Sequence, residues 1–381
     1  MQPNLRVETE SSMGGNRAEI FKHNVSVVFH ILTRIFCIFP VDRKKIVFEA
    51  YTGTQFSCSP KYICEYLDRQ NAGYRLFWVY RDNRLDCPYR QIKRNSLAYF
   101  FHILTAGTVV INSGHNNLVR LRRNQVFINT WHGGGAYKRI VHPGYREHYR
   151  KNDFFLSSCA MASRYVIREG NAFTGRILET GLPRNDMLIN YDGARAEAIR
   201  EKLGISGRKS VLYAPTYRED RDKTDFGLDY DRLIRALSAK FDGDWVVLHR
   251  SHYHMNSESV SGGTCIDVSC YPDMQELLLA ADVLVTDYSS SVWDYSFTFR
   301  PCFLYATDLD SYGTERSFFV DIHEWPFPLT TDNGELEQAI RSFEETAYRK
   351  AVTDHHSMMG SFETGNATKT VCEFIESEAG N

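Results

Sequence analysis

The feature that most constrains the fold is an alternation, beginning after Pro40, of short runs rich in β-branched and aromatic residues with longer amphipathic stretches. The short runs predict buried strands and the longer stretches predict helices, an order typical of a mainly parallel, doubly wound α/β sheet. In this first series we predict helices at 60–70 and 96–106, and strands at 46–50, 76–80, 108–112, 127–130 and 154–157.

A second series follows a charged, helical stretch at 194–203. We predict its strands at 211–214, 245–248, 265–268, 283–286 and 301–305, and helices at 274–281, 336–343 and 367–376, the last two closing this domain. The chain is therefore expected to hold a polar tail with an amphipathic segment (1–44) and two Rossmann-like domains (45–195 and 196–381). Ligands of such sheets bind outside the carboxyl ends of the strands, so residues that follow strands are the candidate site residues.

The charge balance argues against a general nucleic-acid binder. The 381 residues contain 45 Lys and Arg against 47 Asp and Glu, a net charge of −2, so any anion has to be bound locally. Nine cysteines without a Cys-x-x-Cys pair indicate neither a disulfide framework nor a zinc site, which fits a reducing cytoplasm. The polar amino terminus has no early apolar core, so we expect no secretory signal.

The apolar segment 25–40 contains His30 and Arg34 and is shorter than the ~20 apolar residues of a spanning helix. Basic residues flank it on both sides. Interfacial helices that bind anionic lipid have this composition. A first helix packed on its own domain fits the same pattern equally well.

The predicted strand 127–130 is followed by Trp131-His132-Gly133-Gly134-Gly135. Glycines let backbone amides approach a ligand closely, and a histidine at a strand end is exposed to the cleft, where imidazole serves as a general base. A flexible turn with a surface histidine is the simpler alternative.

The predicted strand 245–248 is followed by His249-Arg250-Ser251-His252-Tyr253-His254. Alternation places Arg250 and His252 on one side, where the guanidinium would neutralise a phosphate and the imidazole would donate a hydrogen bond. Three histidines also suggest a metal site, but no carboxylate or cysteine completes a ligand set. The Asp-x-Asp pairs at 220, 229, 242 and 308 are interpreted as solvated loops, so no metal and no cofactor is expected.

The predicted strand 283–286 is followed by Asp287-Tyr288-Ser289-Ser290-Ser291 and a helix containing Asp294. Serine hydroxyls and free amides at a helix amino terminus form a phosphate cradle, although simple helix capping uses the same residues. Two weaker turn motifs, 180–186 and 214–218, place Arg184, Thr216 and Arg218 near the same cleft.

Taken together, these motifs closely resemble the CDP-glycerol glycerophosphotransferases of teichoic acid synthesis. The resemblance extends over about residues 45–375 and rests on Thr130-Trp131-His132-Gly133, Pro183-Arg184-Asn185-Asp186, Tyr213-Ala214-Pro215-Thr216, Arg250-Ser251-His252, Thr286-Asp287-Tyr288-Ser289-Ser290, Asp294-Tyr295, Arg300-Pro301 and the stretch 316–321.

The resemblance implies a GT-B-like fold, with two Rossmann-like domains facing a central cleft, and a cytoplasmic enzyme peripheral on the inner face of a Gram-positive membrane. It also implies metal-independent transfer of glycerol phosphate from CDP-glycerol to a lipid-linked acceptor, either a polyprenyl-diphosphate glycan or a polyol phosphate, with release of CMP. His132 resembles the family's base, and His252 the group that stabilises the diphosphate or CMP. The expected substrate-binding positions, to which we add the neighbouring Gly134, Gly135 and Arg218, are Trp131, Gly133, Arg184, Pro215, Thr216, Arg250, Ser251, Ser289, Ser290 and Asp294.

Two departures from the family pattern leave alternatives open. Gly134 and Gly135 replace the usual Thr-Pro, so CDP-ribitol is an alternative donor. Ser59-Pro60-Lys61 replaces Asn-Pro-Lys, which leaves the acceptor site undefined. A GT-B glycosyltransferase or epimerase that uses a UDP-sugar is a second hypothesis. A non-catalytic polymer-binding module is a third, and the presence of both His132 and His252 argues against it.

Overall fold

The chain forms two parallel β-sheets covered by helices, which confirms the expected α/β, GT-B-like fold class. A computed structural model describes residues 34–114, 116, 118–139, 153–216, 226–251, 264–309 and 318–380. We refer to the two sheets with their covering helices as the first lobe and the second lobe.

The first sheet has seven strands in the order β3-β2-β1-β4-β5-β6-β7, and every neighbouring pair is parallel. Its central strands are buried on both faces because helices cover both, as expected for parallel sheets. The strands are β1 (Asp42–Glu49), β2 (Arg75–Tyr80), β3 (Arg90–Lys93), β4 (Ala106–Ile111), β5 (Val126–Asn129), β6 (Phe154–Leu156) and β7 (Arg176–Leu178).

The second sheet has six parallel strands in the order β10-β9-β8-β11-β12-β13. They are β8 (Lys209–Ala214), β9 (Trp245–His249), β10 (Cys265–Asp267), β11 (Val283–Thr286), β12 (Cys302–Tyr305) and β13 (Leu329–Thr330). In both sheets the order reverses beside the first strand, between β1 and β4 and between β8 and β11. Loops diverge at such switch points and leave a crevice at the carboxyl ends of the strands.

The helices fall mostly between strands, as the alternation predicted. They are α1 (Cys58–Arg69), α2 (Leu97–Thr105), α3 (Asp186–Ile189), α4 (Gly193–Lys202), α5 (Tyr230–Phe241), α6 (Met274–Ala280), α7 (Ser291–Ser296), α8 (Asn333–Arg341), α9 (Glu345–Met359) and α10 (Ala367–Gly380). A π-helical segment, Ala162–Gly170, precedes β7.

The last helix does not close the second domain as predicted. It returns to the first lobe, where Val371, Cys372 and Ile375 are buried in the same core as Ile63 and Leu67 of α1. The thiol of Cys372 donates to the carbonyl oxygen of Ile63 at 3.8 Å. The apolar face of α10 is therefore satisfied by the first lobe, and the chain crosses between the lobes a second time.

The predicted amphipathic segment 25–40 is described only from Arg34 onward, where Arg34–Ile38 forms a 3₁₀ helix. Residues 1–33 lie outside the described part of the chain. Across the described ranges, every helix is too short or too polar to traverse a lipid bilayer.

Candidate active site

A cleft of about 460 Å³ lies where the carboxyl ends of the two sheets face each other. Its wall combines residues that follow β1, β2, β5, β7, β8, β9, β10 and β11. The first lobe contributes Tyr51, Thr52, Thr54, Gln55, Ser57, Cys58, Arg81, His132 and Arg184. The second lobe contributes Ala214, Pro215, Arg250, Ser251, Ser269, Asp273, Met274, Gln275, Ser289, Ser290, Ser291 and Asp294.

His132 is exposed in this cleft because a strained turn follows β5. Trp131 has a left-handed φ of 55°, a conformation that costs a bulky residue ~1 kcal/mol or more. Its buried ring packs 5.7 Å from that of Phe155, and its main-chain N–H donates to Oδ1 of Asn129 at 2.8 Å. The buried tryptophan therefore anchors the turn, and its ring supports the exposed imidazole of His132 at a ring distance of 4.3 Å.

The imidazole of His132 is oriented by contacts within the first lobe. Its Nδ1 lies 2.9 Å from the carbonyl oxygen of Asn112, directly after β4. Its ring lies 6.1 Å from that of Tyr51. Because a carbonyl oxygen only accepts, the neutral ring carries its proton on Nδ1 and its lone pair on Nε2, the form that a general base needs.

The glycines after His132 lie beside the cleft and are not part of its wall. A Cβ on Gly134 would lie 2.2 Å from Cδ1 of Trp293 in the second lobe. Gly135 has a φ of +65°, and its N–H donates to Oγ of Ser158 at 3.0 Å. Gly133 lies next to the cleft, since its Cβ position is 3.4 Å from Oγ of Ser290. The glycines therefore let the two lobes approach each other closely.

Arg184 and Asp294 form a buried ion pair that joins the lobes at the cleft. The guanidinium of Arg184 donates from Nε to Oδ2 of Asp294 at 2.9 Å and from Nη2 to Oδ1 at 3.1 Å. Burial would lower the pKa of Arg184, but the carboxylate raises it above its usual value. Gln275 donates to the same carboxylate at 2.8 Å. Both predicted residues lie in the cleft wall, but they are engaged with each other.

The second lobe supplies a cation and several hydroxyls to the cleft. Arg250 follows β9 and donates from Nη1 to the carbonyl oxygen of Tyr271 at 2.8 Å. Burial lowers the pKa of Arg250, so an anion beside it would restore the stability of its charged form. Ser251, Ser289 and Ser290 lie in the same wall, and Oγ of Ser251 lies 2.8 Å from Oγ of Ser269.

The remaining predicted residues are divided between the cleft, a nearby loop and the undescribed part of the chain. Pro215 lines the cleft. The N–H of Thr216 donates to the carboxylate of Asp287 at 2.9 Å and its hydroxyl contacts the same group, so this residue ties β8 to β11. Arg218 and His252 lie outside the described residues.

Lys61, at the position that left the acceptor site undefined, is in contact with the second lobe. Its Nζ lies 2.8 Å from Asp273 and 2.8 Å from Glu276, and the hydroxyl of Tyr62 donates to Asp273 at 2.8 Å. Burial would lower the pKa of Lys61, but the two carboxylates raise it. This cluster thus holds α1 against α6 beside the cleft, where Asp273 is part of the wall.

The Asp-x-Asp pairs are predicted to lie in solvated loops. Asp229 and Asp244 are exposed as expected, but Asp308 is buried and accepts the hydroxyl of Tyr288 at 3.1 Å, so this position differs from the prediction. Asp229 caps α5 by accepting the N–H of Arg232, and Asp244 pairs with Arg208 at 2.8 Å. Within the described ranges, no three His, Cys, Asp or Glu side chains are grouped as metal ligands would be.

Sequence reasoning missed the part of the cleft built by β1 and β2. Tyr51, Thr52, Thr54 and Gln55 follow β1 directly, and Arg81 follows β2. Like His132 and Arg250, these residues directly follow predicted strands. They were missed because no histidine or run of serines follows the predicted strands 46–50 and 76–80. The position of these residues at the ends of strands was the signal that could have located them.

Comparison with known proteins relates the whole two-lobed unit to one family. Residues 31–377 match the model described as CDP-Glycerol:Poly(glycerophosphate) glycerophosphotransferase. The chain is 30% identical over 373 residues to a teichoic acid poly(glycerol phosphate) polymerase of Staphylococcus epidermidis, covering 89% of this chain and 51% of that protein. It is 28% identical over 390 residues to a teichoic acid glycerol-phosphate transferase of Staphylococcus aureus, covering 94% and 98%. The chain thus spans about half of the first relative and nearly all of the second.

More distant relatives and a solved structure complete the comparison. A teichoic acid poly(ribitol-phosphate) polymerase of Bacillus spizizenii is 24% identical over 366 residues. A structure of the wall teichoic acid polymerase TagF, a variant soaked with CDPG, matches with a TM-score of 0.80 at 30% identity and covers 89% of this chain and 90% of that one. The chain therefore belongs to the CDP-glycerol:poly(glycerophosphate) glycerophosphotransferase family.

Proposed function

We propose that this chain transfers glycerol phosphate from CDP-glycerol to a hydroxyl of a lipid-linked acceptor in the synthesis of teichoic acid or a related surface polymer, with release of CMP. The observation that carries the proposal is one cleft in which an oriented imidazole of the first lobe shares a wall with an arginine and serines of the second. The acceptor is a polyprenyl-diphosphate glycan or a polyol phosphate.

In the proposed reaction the acceptor hydroxyl attacks the β-phosphorus of CDP-glycerol in line with the bond to CMP. A new P–O bond forms to the acceptor, the P–O bond to CMP breaks, and Nε2 of His132 takes the hydroxyl proton. Arg250, Ser251, Ser289 and Ser290 bind the diphosphate, and Arg250 neutralises the charge on the leaving CMP. His252 is proposed to assist there.

The proposal assigns different substrates to the two lobes. Residues 196–381 would bind the CDP donor, because Arg250 and the serines come from this lobe. Residues 45–195 would bind the acceptor, because His132 belongs to them. Arg184 and Asp294 would act indirectly, by holding the two half-sites at a fixed spacing.

The geometry removes the argument from the glycine motif for ribitol as the donor polyol. The ribitol alternative rested on Gly134 and Gly135, which replace Thr-Pro of the family pattern. Both glycines pack against aromatic side chains and lie outside the cleft wall, so this departure leaves the lining of the cleft unchanged. The relatives named for glycerol phosphate also share higher identity over the length of this chain than the ribitol-phosphate polymerase does.

A donor screen tests the proposal. The protein is incubated with a synthetic lipid-linked acceptor and CDP-glycerol, CDP-ribitol or UDP-N-acetylglucosamine, and the released nucleotide and the product mass are measured. We expect CMP release and a product heavier by glycerol phosphate units only with CDP-glycerol. A ribitol phosphate product would change the donor assignment, and UDP release would replace the proposal with the glycosyltransferase hypothesis.

We also propose that the enzyme binds the inner face of the cell membrane peripherally. Ile35, Ile38 and Phe39 are 62%, 79% and 50% exposed, and Leu97 of α2 is 78% exposed. Phe39 packs on Phe101, one helical turn from Leu97, at a ring distance of 5.4 Å, so these side chains form one apolar patch. Arg34 and Arg122 lie beside it, and Nη1 of Arg122 donates to the carbonyl oxygen of Phe39 at 2.7 Å. An apolar patch beside cations suits an anionic lipid surface.

Flotation with phosphatidylglycerol vesicles tests membrane binding. We expect Ile38→Asp and Leu97→Asp each to reduce the fraction of protein that floats. Met358→Asp is the matched control, because Met358 is 49% exposed on α9, away from the patch. Equal flotation of all variants would contradict the proposal.

A further inference from the structure

The first lobe carries a second cationic group in the cleft, which the proposed transfer to phosphorus does not use. Arg81 follows β2, and its main-chain N–H donates to the carbonyl oxygen of Gly53 at 2.7 Å. Gly53 has a φ of +85°, and a Cβ there would lie 3.0 Å from N of Arg81. Only glycine allows the loop after β1 to approach this arginine so closely.

The loop that holds Arg81 is strained. Tyr51 and Thr52 have φ values of 47° and 56°, and left-handed conformations cost non-glycine residues ~1–3 kcal/mol each. The N–H of Tyr51 donates to Oδ1 of Asn112 at 2.7 Å, which helps to hold this shape. As a result, Tyr51 lies beside His132, and the hydroxyl of Thr52 lies 3.5 Å from Nη1 of Arg81. Two adjacent loop residues thus connect the imidazole to the guanidinium.

The charge of Arg81 is accessible, in contrast to that of Arg184. Nε of Arg81 lies 2.9 Å from Oδ2 of Asp82, with the two side chains 45% and 69% exposed. Solvated ion pairs of this kind contribute little, so an incoming anion can displace the carboxylate. Arg184, by comparison, is 1% exposed and held by Asp294. Of the two described first-lobe arginines in the cleft wall, Arg81 is therefore the one that a ligand can reach.

We propose that Arg81 binds the phosphate of the acceptor that lies next to the attacking hydroxyl. This inference rests on the proposed function: a polyol-phosphate acceptor carries an anion one short polyol away from the hydroxyl that His132 deprotonates. Arg250 and the serines face the donor diphosphate, so the acceptor phosphate needs a separate cation on the side of His132. A guanidinium suits this task because its donors match phosphate oxygens bidentately. Arg81 would therefore select acceptors that end in a polyol phosphate over uncharged hydroxyl compounds.

The test compares two acceptors at saturating CDP-glycerol: a lipid ending in glycerol phosphate and a lipid with the same terminal glycerol in an uncharged ether linkage. For Arg81→Ala we expect KM for the charged acceptor to rise about tenfold, with Arg81→Lys intermediate. KM for CDP-glycerol and the rate with the uncharged acceptor stay unchanged. Arg84→Ala, at an exposed arginine in the same connection and outside the cleft wall, serves as the control and has no effect on either acceptor.

A second variant keeps the test decisive if Arg81→Ala does not fold. Asp82→Asn removes the competing carboxylate, so we expect KM for the charged acceptor to fall about two- to threefold, a direction that loss of structure would not produce. Equal changes with both acceptors, or a changed KM for CDP-glycerol, would overturn the assignment. Wild-type protein that releases no CMP from CDP-glycerol would refute the proposed function itself, whereas normal wild-type turnover with an unaffected Arg81→Ala would refute only the acceptor subsite.

Discussion

The imidazole Nδ1 of His132 lies 2.9 Å from the carbonyl oxygen of Asn112. The side chain of Asn112 accepts the N–H of Tyr51 at 2.7 Å, so one residue directly after β4 holds both the imidazole and the strained loop after β1. The arrangement explains how a side chain exposed in the cleft keeps one orientation. The two contacts can be tested separately. A substitution of Asn112 keeps the main-chain carbonyl that contacts His132 but removes the side-chain oxygen that accepts the N–H of Tyr51.

We expect Asn112→Ala to lower the free energy of unfolding by about 1–3 kcal/mol, because it leaves the N–H of Tyr51 without its acceptor in a buried site. Transfer activity falls as well, since the loop carries Tyr51 and Thr52 into the cleft. Urea unfolding followed by circular dichroism measures the first effect. Asn83→Ala, at an exposed position in the connection after β2, is the control and should change stability by less than about 0.5 kcal/mol. Equal stabilities of the two variants would contradict this account.

Gly134 and Gly133 provide a matched pair for the contact between the lobes. A Cβ on Gly134 would lie 2.2 Å from the ring of Trp293, whereas a Cβ on Gly133 meets its nearest atom at 3.4 Å. We therefore expect Gly134→Ala to destabilise the protein by about 1–3 kcal/mol through overpacking, and Gly133→Ala to have a much smaller effect. Thermal unfolding of both variants measures the difference. Indistinguishable melting temperatures would show that the glycines serve another purpose.

The ion pair between Arg184 and Asp294 predicts strong coupling between two residues separated by 110 positions in sequence. Each single variant, Arg184→Met or Asp294→Asn, leaves a buried group without its partner and should cost about 3–5 kcal/mol of unfolding free energy. The double variant should cost clearly less than the sum of the two. Urea unfolding of all three variants gives the coupling energy. Strict additivity would mean that the pair does not join the lobes energetically.

Glu363 makes stability depend on pH. Burial raises its pKa to about 8, although the N–H of Leu182 and the side chains of Asn185 and Trp293 donate to it and lower the value. An unfolded glutamate has a pKa of ~4.3, so between the two values the folded state holds a proton that the unfolded state has lost. Stability should therefore fall as pH rises through this window, by up to ~1.4 kcal/mol per pH unit from this group.

We expect Glu363→Gln to reduce that slope, because an amide cannot titrate. The measurement is the unfolding free energy of wild type and variant in urea at several pH values between 5 and 8, and the difference between the two curves isolates Glu363 from other groups. A difference that does not change with pH would refute the assignment.

Much of the fold could be predicted because its central strands are continuous apolar runs. Strands β8 and β11 are nearly all buried, and hydrophobic pattern alone locates such segments. The edge strands β3 and β7 were missed because most of their residues remain accessible, and the edge strand β13 was missed because its two residues are too few to form a pattern. The placement of α10 was wrong because its apolar residues show that one face is buried but not which of the two lobes that face packs against.

The candidate site was predictable where chemistry follows a strand and less so where it depends on contacts between the lobes. His132, Arg250, Ser289 and Ser290 were found by position, and all line the cleft. No local pattern shows that Gly134 faces Trp293, since the contact joins distant parts of the chain. For the same reason, the sequence did not show that Arg184 and Asp294, two expected ligand-binding residues, pair with each other.

The central claim is that His132 takes the proton of the acceptor hydroxyl. The most direct measurement is the rate of CMP release from CDP-glycerol, with a lipid-linked acceptor present, for wild type and His132→Gln. Glutamine preserves a donor toward Asn112 but has no basic nitrogen, so we expect the rate to fall about 10²- to 10⁴-fold while donor binding and the unfolding midpoint stay unchanged. A His132→Gln rate within a few-fold of wild type, measured on correctly folded protein, would contradict the account.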